Sequence, residues 1–471
     1  MGAKHKDLSQ LQITLLVTLA LSSSTYGYAI ESITRSQKLS QEHTLVSPGQ
    51  VFELGFFSPN SSGNHKYVGI WYKGISPQTL VWVANSENPL PVADSSASLN
   101  IGHSGNLELV DGNNSSPWWS TNVNMSSNNP VATLSDNGNF VLKDAESGQS
   151  LWQSFDHPRD TFLPGSVIGY NVNTGQSYNL TSWKSDGDPS PGSFTMGVSQ
   201  ALRPAQVFIW KGTTPRWRTG PWGRLKFIGM PEMDASYQSQ FGLVEDPAKG
   251  TTYLSFTSYN TSTFSRMFLS SEGVLKYMLK ENGSNWYVFW ESPKNPCDVY
   301  GVCGPFGLCK VSESPTCRCL KGFVPKSDLE WRERNWTQGC TRRTKLHCEK
   351  NNSSASPQGQ NNDGFLKFSN TKLPDFYEFL PNHNNFGSCR TTCLELCSCK
   401  ALAYVNGIGC LVWLEDLVDI QEFSSGGEDL YLRLPFAELG ETQRSSRYIW
   451  QYELFFSLHD ISFEICYLFI V

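Results

Sequence analysis

Gly105-Asn106-Leu107-Glu108-Leu109-Val110-Asp111 returns 33 residues later as Gly138-Asn139-Phe140-Val141-Leu142-Lys143-Asp144, and Trp119 returns as Trp152 at the same offset. Residues 50–57, followed by Trp71, read as a degenerate third copy. A repeat of this length that contains only strand-like runs implies small sheets related by rotation around one shared core. The tryptophans then belong to that core rather than to ligand platforms. Runs at 51–56, 67–72 and 80–83, separated by Ser, Asn, Pro and Gly, predict strands on the same pattern. The fold class read from these signals is mainly β, and Trp and Gly richness agrees with it.

Cysteine usage divides the chain differently. The first 296 residues contain none, twelve lie between Cys297 and Cys410, and Cys466 stands alone. Dense, even-numbered cysteines behind an export signal indicate disulfide-stapled extracellular modules. Lys4 and Lys6, the apolar run 11–21 and Gly27-x-Ala29 form such a signal, so residues 1–29 are read as a signal peptide and the protein as secreted. N-x-S/T sequons begin at Asn60, Asn113, Asn114, Asn124, Asn179, Asn260, Asn282, Asn335, Asn351 and Asn352. Sites that carry glycan must lie on the surface. The formal charge of -6, with no basic cluster, argues against nucleic acid and anionic membrane as partners.

Further motifs follow the repeat in order. They are Leu151-Trp152-Gln153-Ser154-Phe155-Asp156-His157-Pro158, Thr161-Phe162-Leu163-Pro164-Gly165, Asp188-Pro189-Ser190-Pro191-Gly192-Ser193-Phe194, Arg218-Thr219-Gly220-Pro221-Trp222 and Gly229-Met230-Pro231-Glu232-Met233. Together with the repeat they resemble plant S-locus glycoproteins and the ectodomains of G-type lectin S-receptor-like serine/threonine kinases, from about residue 30 to 434. The resemblance implies a bulb-type lectin β-prism at 30–160 and a second lectin-like β domain, the S-locus glycoprotein region, at 161–292. An EGF-like module at 293–340 and a PAN/apple domain at 341–434 follow, before an atypical tail at 435–471.

Cys297-Asp298-Val299-Tyr300-Gly301 and Cys303-Gly304-Pro305-Phe306-Gly307 resemble the EGF-like pattern. EGF-type pairing implies bridges 297 to 309, 303 to 317 and 319 to 340. A module this small needs such staples because it cannot bury enough surface alone. The PAN resemblance implies Cys389 with Cys410, Cys393 with Cys399, and Cys348 with Cys397. Cys389, Cys393 and Cys397 recur every four residues, the spacing of one helix face. That face is expected to dock on strands near 401–404 and 410–413. Zinc at this cluster is a minor alternative, since no regular Cys/His spacing supports it. No metal and no cofactor is expected.

Mannose-binding bulb lectins use a Q-x-D-x-N-x-V-x-Y strand. The matching positions here are Gly102, Ser104, Asn106, Glu108 and Val110, then Ser135, Asn137, Asn139, Val141 and Lys143. Asn106 and Asn139 survive, and Val141 keeps the Val of the second copy. A hydrogen-bonding site stripped of most partners loses affinity. The favoured role for the two asparagines is therefore in turns and strands.

The sequence holds no Gly-rich phosphate loop, H-R-D, D-F-G, H-E-x-x-H or G-x-S-x-G, so no catalytic residue is assigned. The expected function is extracellular recognition by a soluble or truncated S-domain receptor ectodomain. It would bind a protein or metabolite ligand in pollen recognition or defence, as a homodimer or with a full-length receptor kinase. In self-incompatibility receptors, variable ligand-contacting stretches precede R-[ST]-G-P-W. That resemblance makes Trp210, Lys211, Arg216 and Trp217 ligand candidates, against the equal alternative of an exposed loop with one core tryptophan. A carbohydrate-binding lectin, a fragment of a membrane receptor-like kinase and a non-functional remnant are the rival readings.

Overall fold

The computed structural model describes residues 28–59, 63–112, 116–124, 127–200, 203–233, 241–258, 263–350 and 363–439. The signal peptide, the tail from 440, Cys466 and the sequons at Asn60, Asn113, Asn114, Asn260, Asn351 and Asn352 lie outside the described residues. The four described sequon asparagines, Asn124, Asn179, Asn282 and Asn335, are all exposed. The chain divides into two compact units, residues 1–163 with 183–192, and residues 164–182 with 193–471.

Three small sheets build the first unit. The first runs Tyr28–Ile30, His43–Val46, Phe52–Phe57, His65–Tyr72, Leu80–Val83; the second Trp119–Ser120, Leu107–Val110, Ser98–Ile101, Leu39–Ser40; the third Pro130–Leu134, Phe140–Asp144, Ser150–Gln153. Alternation of buried and half-exposed residues along Pro130–Leu134 shows one face packed inward. The repeat persists in register: Trp119 sits opposite Leu109 and Trp152 opposite Leu142. It persists in backbone too, because Gln50, Gly105 and Gly138 turn with φ of 60°, 86° and 87°. Glycine takes that conformation without steric cost, whereas Gln50 bears it against the side-chain penalty. The Ser47 hydroxyl stabilises this turn by accepting the Val51 and Phe52 N–H groups, both at 3.1 Å.

Each sheet sends one tryptophan to the centre. Trp82, Trp119 and Trp152 meet edge to face, with ring centroids 5.7–6.1 Å apart. Such contacts add to the area they bury. The third copy's tryptophan is therefore Trp82, not Trp71 as its position suggested. Trp71 packs instead in a satellite cluster with Phe57, Tyr67 and Val83.

The second unit begins with β-sheets of the same modest size. One runs Gln176–Tyr178, Val167–Asn171, Thr251–Phe256, Phe241–Asp246. The antiparallel hairpin Val207–Lys211 and Thr214–Arg218 pairs with the end of Asp188–Val198. Another sheet contains Thr263–Leu269, Leu275–Glu281 and Tyr287–Ser292. Between them lies a small apolar cavity of about 50 Å³, lined by Met196, Met230, Met267, Trp217, Tyr277 and Trp290 among others.

The EGF-like and PAN regions are one body. Gly307–Cys309 pairs in parallel with Ile420–Glu422 and so joins an eight-stranded sheet with Asp363–Lys372, Glu428–Pro435, Ala401–Val405, Gly409–Trp413 and Glu378–Leu380. Phe306, Leu308, Leu320 and Phe323 share one hydrophobic cluster with Ala401, Leu411, Trp413, Leu432 and Leu434. Disulfides join Cys297–Cys309, Cys303–Cys317, Cys319–Cys340, Cys348–Cys397, Cys389–Cys410 and Cys393–Cys399. Each contributes about 2–4 kcal/mol, chiefly by restricting the unfolded chain. The helix Phe386–Glu395 carries buried Cys389 and Cys393 and is capped by Asn385, whose side chain accepts from Ser388 N–H. Cys397 lies just past its end.

Candidate functional site

The asparagines of the repeat are committed to the fold. Asn106 Oδ1 accepts from Thr121 Oγ1 and Val123 N–H, both at 2.8 Å, and its Nδ2 donates to Val123 O at 3.1 Å. Asn139 Oδ1 accepts from Ser154 Oγ and Phe155 N–H at 3.2 Å, and its Nδ2 donates to Gln153 Oε1 at 2.9 Å. Thr121 and Ser154 are themselves equivalent in the repeat. Each amide therefore pins the strand that carries the core tryptophan and spends its polar groups there. Within the same unit a separate polar cavity of about 430 Å³ opens beside Glu87, Asn88, Trp118, Ser120, Asn122 and Arg159. It contains none of the positions aligned with the mannose motif.

The hairpin Val207–Lys211/Thr214–Arg218 holds the four ligand candidates, and the structure separates them. Lys211 is exposed, while Trp210 and Arg216 are half-buried. Lys211 Nζ and Arg216 Cζ lie 5.9 and 5.7 Å from the Phe194 ring centroid, within cation–π range. Trp210 stacks on Phe208 with centroids 5.2 Å apart. Trp217 is a correction to the candidate set as a surface contact: it is 4% exposed and lines the internal cavity beside Trp290. Its ring lies in the core, whereas its neighbour Arg216 is half-buried.

One residue further on, the same strand ends in a fully buried cation. Arg218 Nε lies 2.8 Å from Asp419 Oδ2, and Lys372 Nζ lies 2.9 Å from the same oxygen. Arg218 also donates to Gln206 Oε1, Leu373 O and Asp419 O at 3.2, 2.6 and 3.0 Å. Gln206 passes the chain to Asp375, which accepts from the Tyr300 hydroxyl at 2.7 Å. Gly301 N–H donates to Asp419 Oδ1 at 3.1 Å, and Tyr300 N–H donates to Arg216 O at 2.8 Å. Burial works to raise the Asp419 carboxyl, but Lys372 and Arg218 hold it below its ordinary value. Burial lowers Lys372 in spite of Asp419. Burial and the neighbouring Asp375 raise the Tyr300 phenol, which stays protonated as a donor.

This cluster ties the R-T-G-P-W strand to the C-D-V-Y-G turn of the EGF-like module and to the PAN strands. Sequence reasoning singled out both motifs as family signatures and missed that they are halves of one clamp. Asp419 sits outside any motif and carried no local signal.

Among the described residues, the His/Cys/Asp/Glu group close enough to hold a metal is Cys303, Cys309 and Cys317, and all three are in disulfides. Cys389, Cys393 and Cys397 are likewise oxidised. A zinc site needs free thiolates, so these residues do not fit one.

Repeated small sheets around a tryptophan centre, joined to a disulfide-stapled body, define a lectin-type β protein with an EGF/PAN-like region. The D-mannose binding lectin family matches residues 79–184, the S-locus glycoprotein domain 217–327 and the PAN-like domain 348–420. Two G-type lectin S-receptor-like serine/threonine-protein kinases of Arabidopsis thaliana are 46% and 47% identical over 439 and 441 residues, covering 93% and 94% of this chain and 53% and 52% of their own. The chain belongs to this S-locus glycoprotein and G-type lectin S-receptor-like family. It spans about half the length of the curated relatives it matches. Among solved structures, a monomeric mannose-binding lectin from Gastrodia elata is 19% identical, covers 26% of this chain and 96% of its own, and has a TM-score of 0.20. The matched regions are lectin, S-locus glycoprotein and PAN-like domains. No helix among the described residues is long and apolar enough to cross a membrane.

Proposed function

We propose that this chain is an extracellular recognition body of the S-domain receptor type that binds a protein or metabolite ligand in pollen recognition or defence. The observation that carries the reading is the hairpin bearing Trp210, Lys211 and Arg216 on top of the buried Arg218–Asp419–Lys372 cluster. A binding constellation performs best on a rigid element whose support is locked by hydrogen bonds. Arg216 and Arg218 belong to one strand, and the EGF-like turn bonds to the backbone between them. Aromatic and arginine side chains are also the residues that most often dominate interface energy. The protein works outside the cell, alone as a ligand trap, as a homodimer or beside a full-length receptor kinase. The kinase activity of the relatives is the output such a body would regulate.

The test adds purified chain to plant cells that signal through a full-length relative. Wild-type chain is expected to lower the response in a dose-dependent way. A Trp210→Ala/Lys211→Ala/Arg216→Ala variant is expected to have lost that effect. Undiminished signalling at saturating wild-type chain counts against the proposal.

A carbohydrate-binding reading has its own support in the 430 Å³ cavity. Arg159 there pairs with Glu87 at 3.4 Å and also donates to Val83 O and Ala84 O at 3.0 and 3.1 Å. That leaves acceptors and amides beside an indole, a lining suited to a neutral saccharide. On this reading a glycan array shows binding that Trp118→Ala reduces at least about tenfold, equivalent to about 1.4 kcal/mol. A silent array removes it.

A further inference from the structure

We propose that the Cys348–Cys397 bridge is a thiol–disulfide exchange site, opened by an external thiol of the glutathione or dithiol-reductase class while the other five bridges stay closed. Three observations set this bridge apart.

The first is access. Cys397 is exposed and Cys348 half-buried. Cys389, Cys393, Cys399 and Cys410 are fully buried, and Cys297, Cys303, Cys309, Cys317 and Cys340 are at most 3% exposed. Exchange requires a thiolate to reach a sulfur, so burial protects those bridges kinetically.

The second is a leaving-group device. Arg433 is fully buried, and its Nη2 lies 3.7 Å from Cys348 Sγ. The guanidinium is held there by Asp363 Oδ2 at 3.1 Å and by the carbonyls of Cys393, Leu394 and Leu396 at 2.9, 3.2 and 2.7 Å. These carbonyls end the Phe386–Glu395 helix, so the same arginine fixes the segment that presents Cys397. A fixed cation beside a sulfur lowers the pKa of the thiolate released there, and exchange runs faster with a lower-pKa leaving group.

The third is the contrast with Cys319–Cys340, the other bridge with a half-buried member. Its Cys340 sits in the shared apolar cluster at 0% exposure. Apolar burial raises a thiol's pKa and makes it a poor leaving group.

An incoming thiolate attacks Cys397 Sγ, a new S–S bond forms to Cys397, and the Cys397–Cys348 bond breaks. The electron pair leaves on Cys348 Sγ beside Arg433. A second reductant thiol attacks the mixed disulfide and releases Cys397 as a thiol. Two reductant thiols become one disulfide, and the bridge takes up two electrons and two protons. The opened bridge frees a loop of 49 residues from its closure. The PAN region thereby becomes responsive to the thiol status of its surroundings.

The experiment treats the full purified chain with graded reduced glutathione or dithiothreitol, traps free thiols with N-ethylmaleimide and maps them by peptide mass spectrometry. Cys348 and Cys397 are expected to be labelled first and together, at doses that leave the other ten bridged cysteines unlabelled. Arg433→Met, where it folds, is expected to slow that first labelling about tenfold. The unchanged order of opening in the wild-type chain decides the matter even if the variant does not fold. First labelling of Cys319 and Cys340, or simultaneous labelling of all twelve, overturns the proposal. So does a folded Arg433→Met chain whose bridge opens at the wild-type rate.

Discussion

Asp419→Ala is expected to cost about 3–5 kcal/mol and to lower the yield of folded protein, because it strands two buried cations without their shared anion. Arg218 and Lys372 both lie within 3 Å of Asp419 Oδ2, and all three side chains are at most 3% exposed. Neither cation can turn to water, and each would repel the other. Secretion yield and the midpoint of thermal unfolding check this. Asp429→Ala is the control. Its pair with Lys367 is 2.7 Å long but more than 40% exposed on both sides, so the change should stay within about 1 kcal/mol. The cluster also fixes a direction with pH. The Asp419 pKa is depressed on folding, so its contribution is present above the unfolded carboxylate value and is lost as pH falls through the folded one. Acid should therefore loosen the second unit, and Asp419→Ala should remove that part of the pH dependence.

Trp152→Ala is expected to cost about 3–5 kcal/mol, the range for removing a large aromatic from a core. Its ring contacts Trp82, Trp119 and Phe140 edge to face and stacks on His157 at 5.2 Å. These partners come from all three sheets, so the loss is felt by the whole lectin-type unit rather than by one hairpin. Near-ultraviolet circular dichroism of the tryptophans and the unfolding midpoint report it. Burial holds His157 below the ordinary imidazole pKa, which favours its neutral form in the folded state. Its contribution is present above the unfolded value and falls away as pH drops toward the folded one. Loss of most of the tryptophan signal in Trp152→Ala without a change in midpoint would show that the triad is not a structural centre.

Some of this was legible in the chain and some was not, for physical reasons. The 33-residue repeat fixed two sheets, since strand, turn glycine and tryptophan recur together. The third copy was harder because Gln50 replaces the turn glycine and two tryptophans, Trp71 and Trp82, compete for one role. The helix around Cys389 and Cys393 followed from spacing, and the strands that receive it from their apolar runs. The bridge pairing came from resemblance, because cysteine spacing alone leaves many pairings open. The fusion of the EGF-like and PAN regions was invisible, since it rests on Leu308 pairing with Ile420 more than a hundred residues away. The ion cluster was hidden for the same reason. Arg218 looks like the start of a turn motif until Asp419 and Lys372 are brought to it through space.

The same separation explains the candidate surface. Trp210, Lys211, Arg216 and Trp217 are equivalent as letters in the sequence. On the hairpin, Trp217 goes to the core, Lys211 is exposed, and Trp210 and Arg216 are half-buried. The two units also allow two kinds of ligand to be told apart by mutation. Trp118 lines the polar cavity of the lectin-type unit, whereas Trp210, Lys211 and Arg216 lie on the hairpin of the second unit.

The most direct measurement immobilises the purified chain and titrates it with fractionated plant extracellular fluid. Wild type, Trp118→Ala and the Trp210→Ala/Lys211→Ala/Arg216→Ala variant are run side by side. The account predicts a saturable ligand that Trp118→Ala still binds and that the triple variant binds at least about tenfold more weakly, a loss of about 1.4 kcal/mol or more. Equal binding by the triple variant, or no saturable binding by folded wild-type chain, would contradict it.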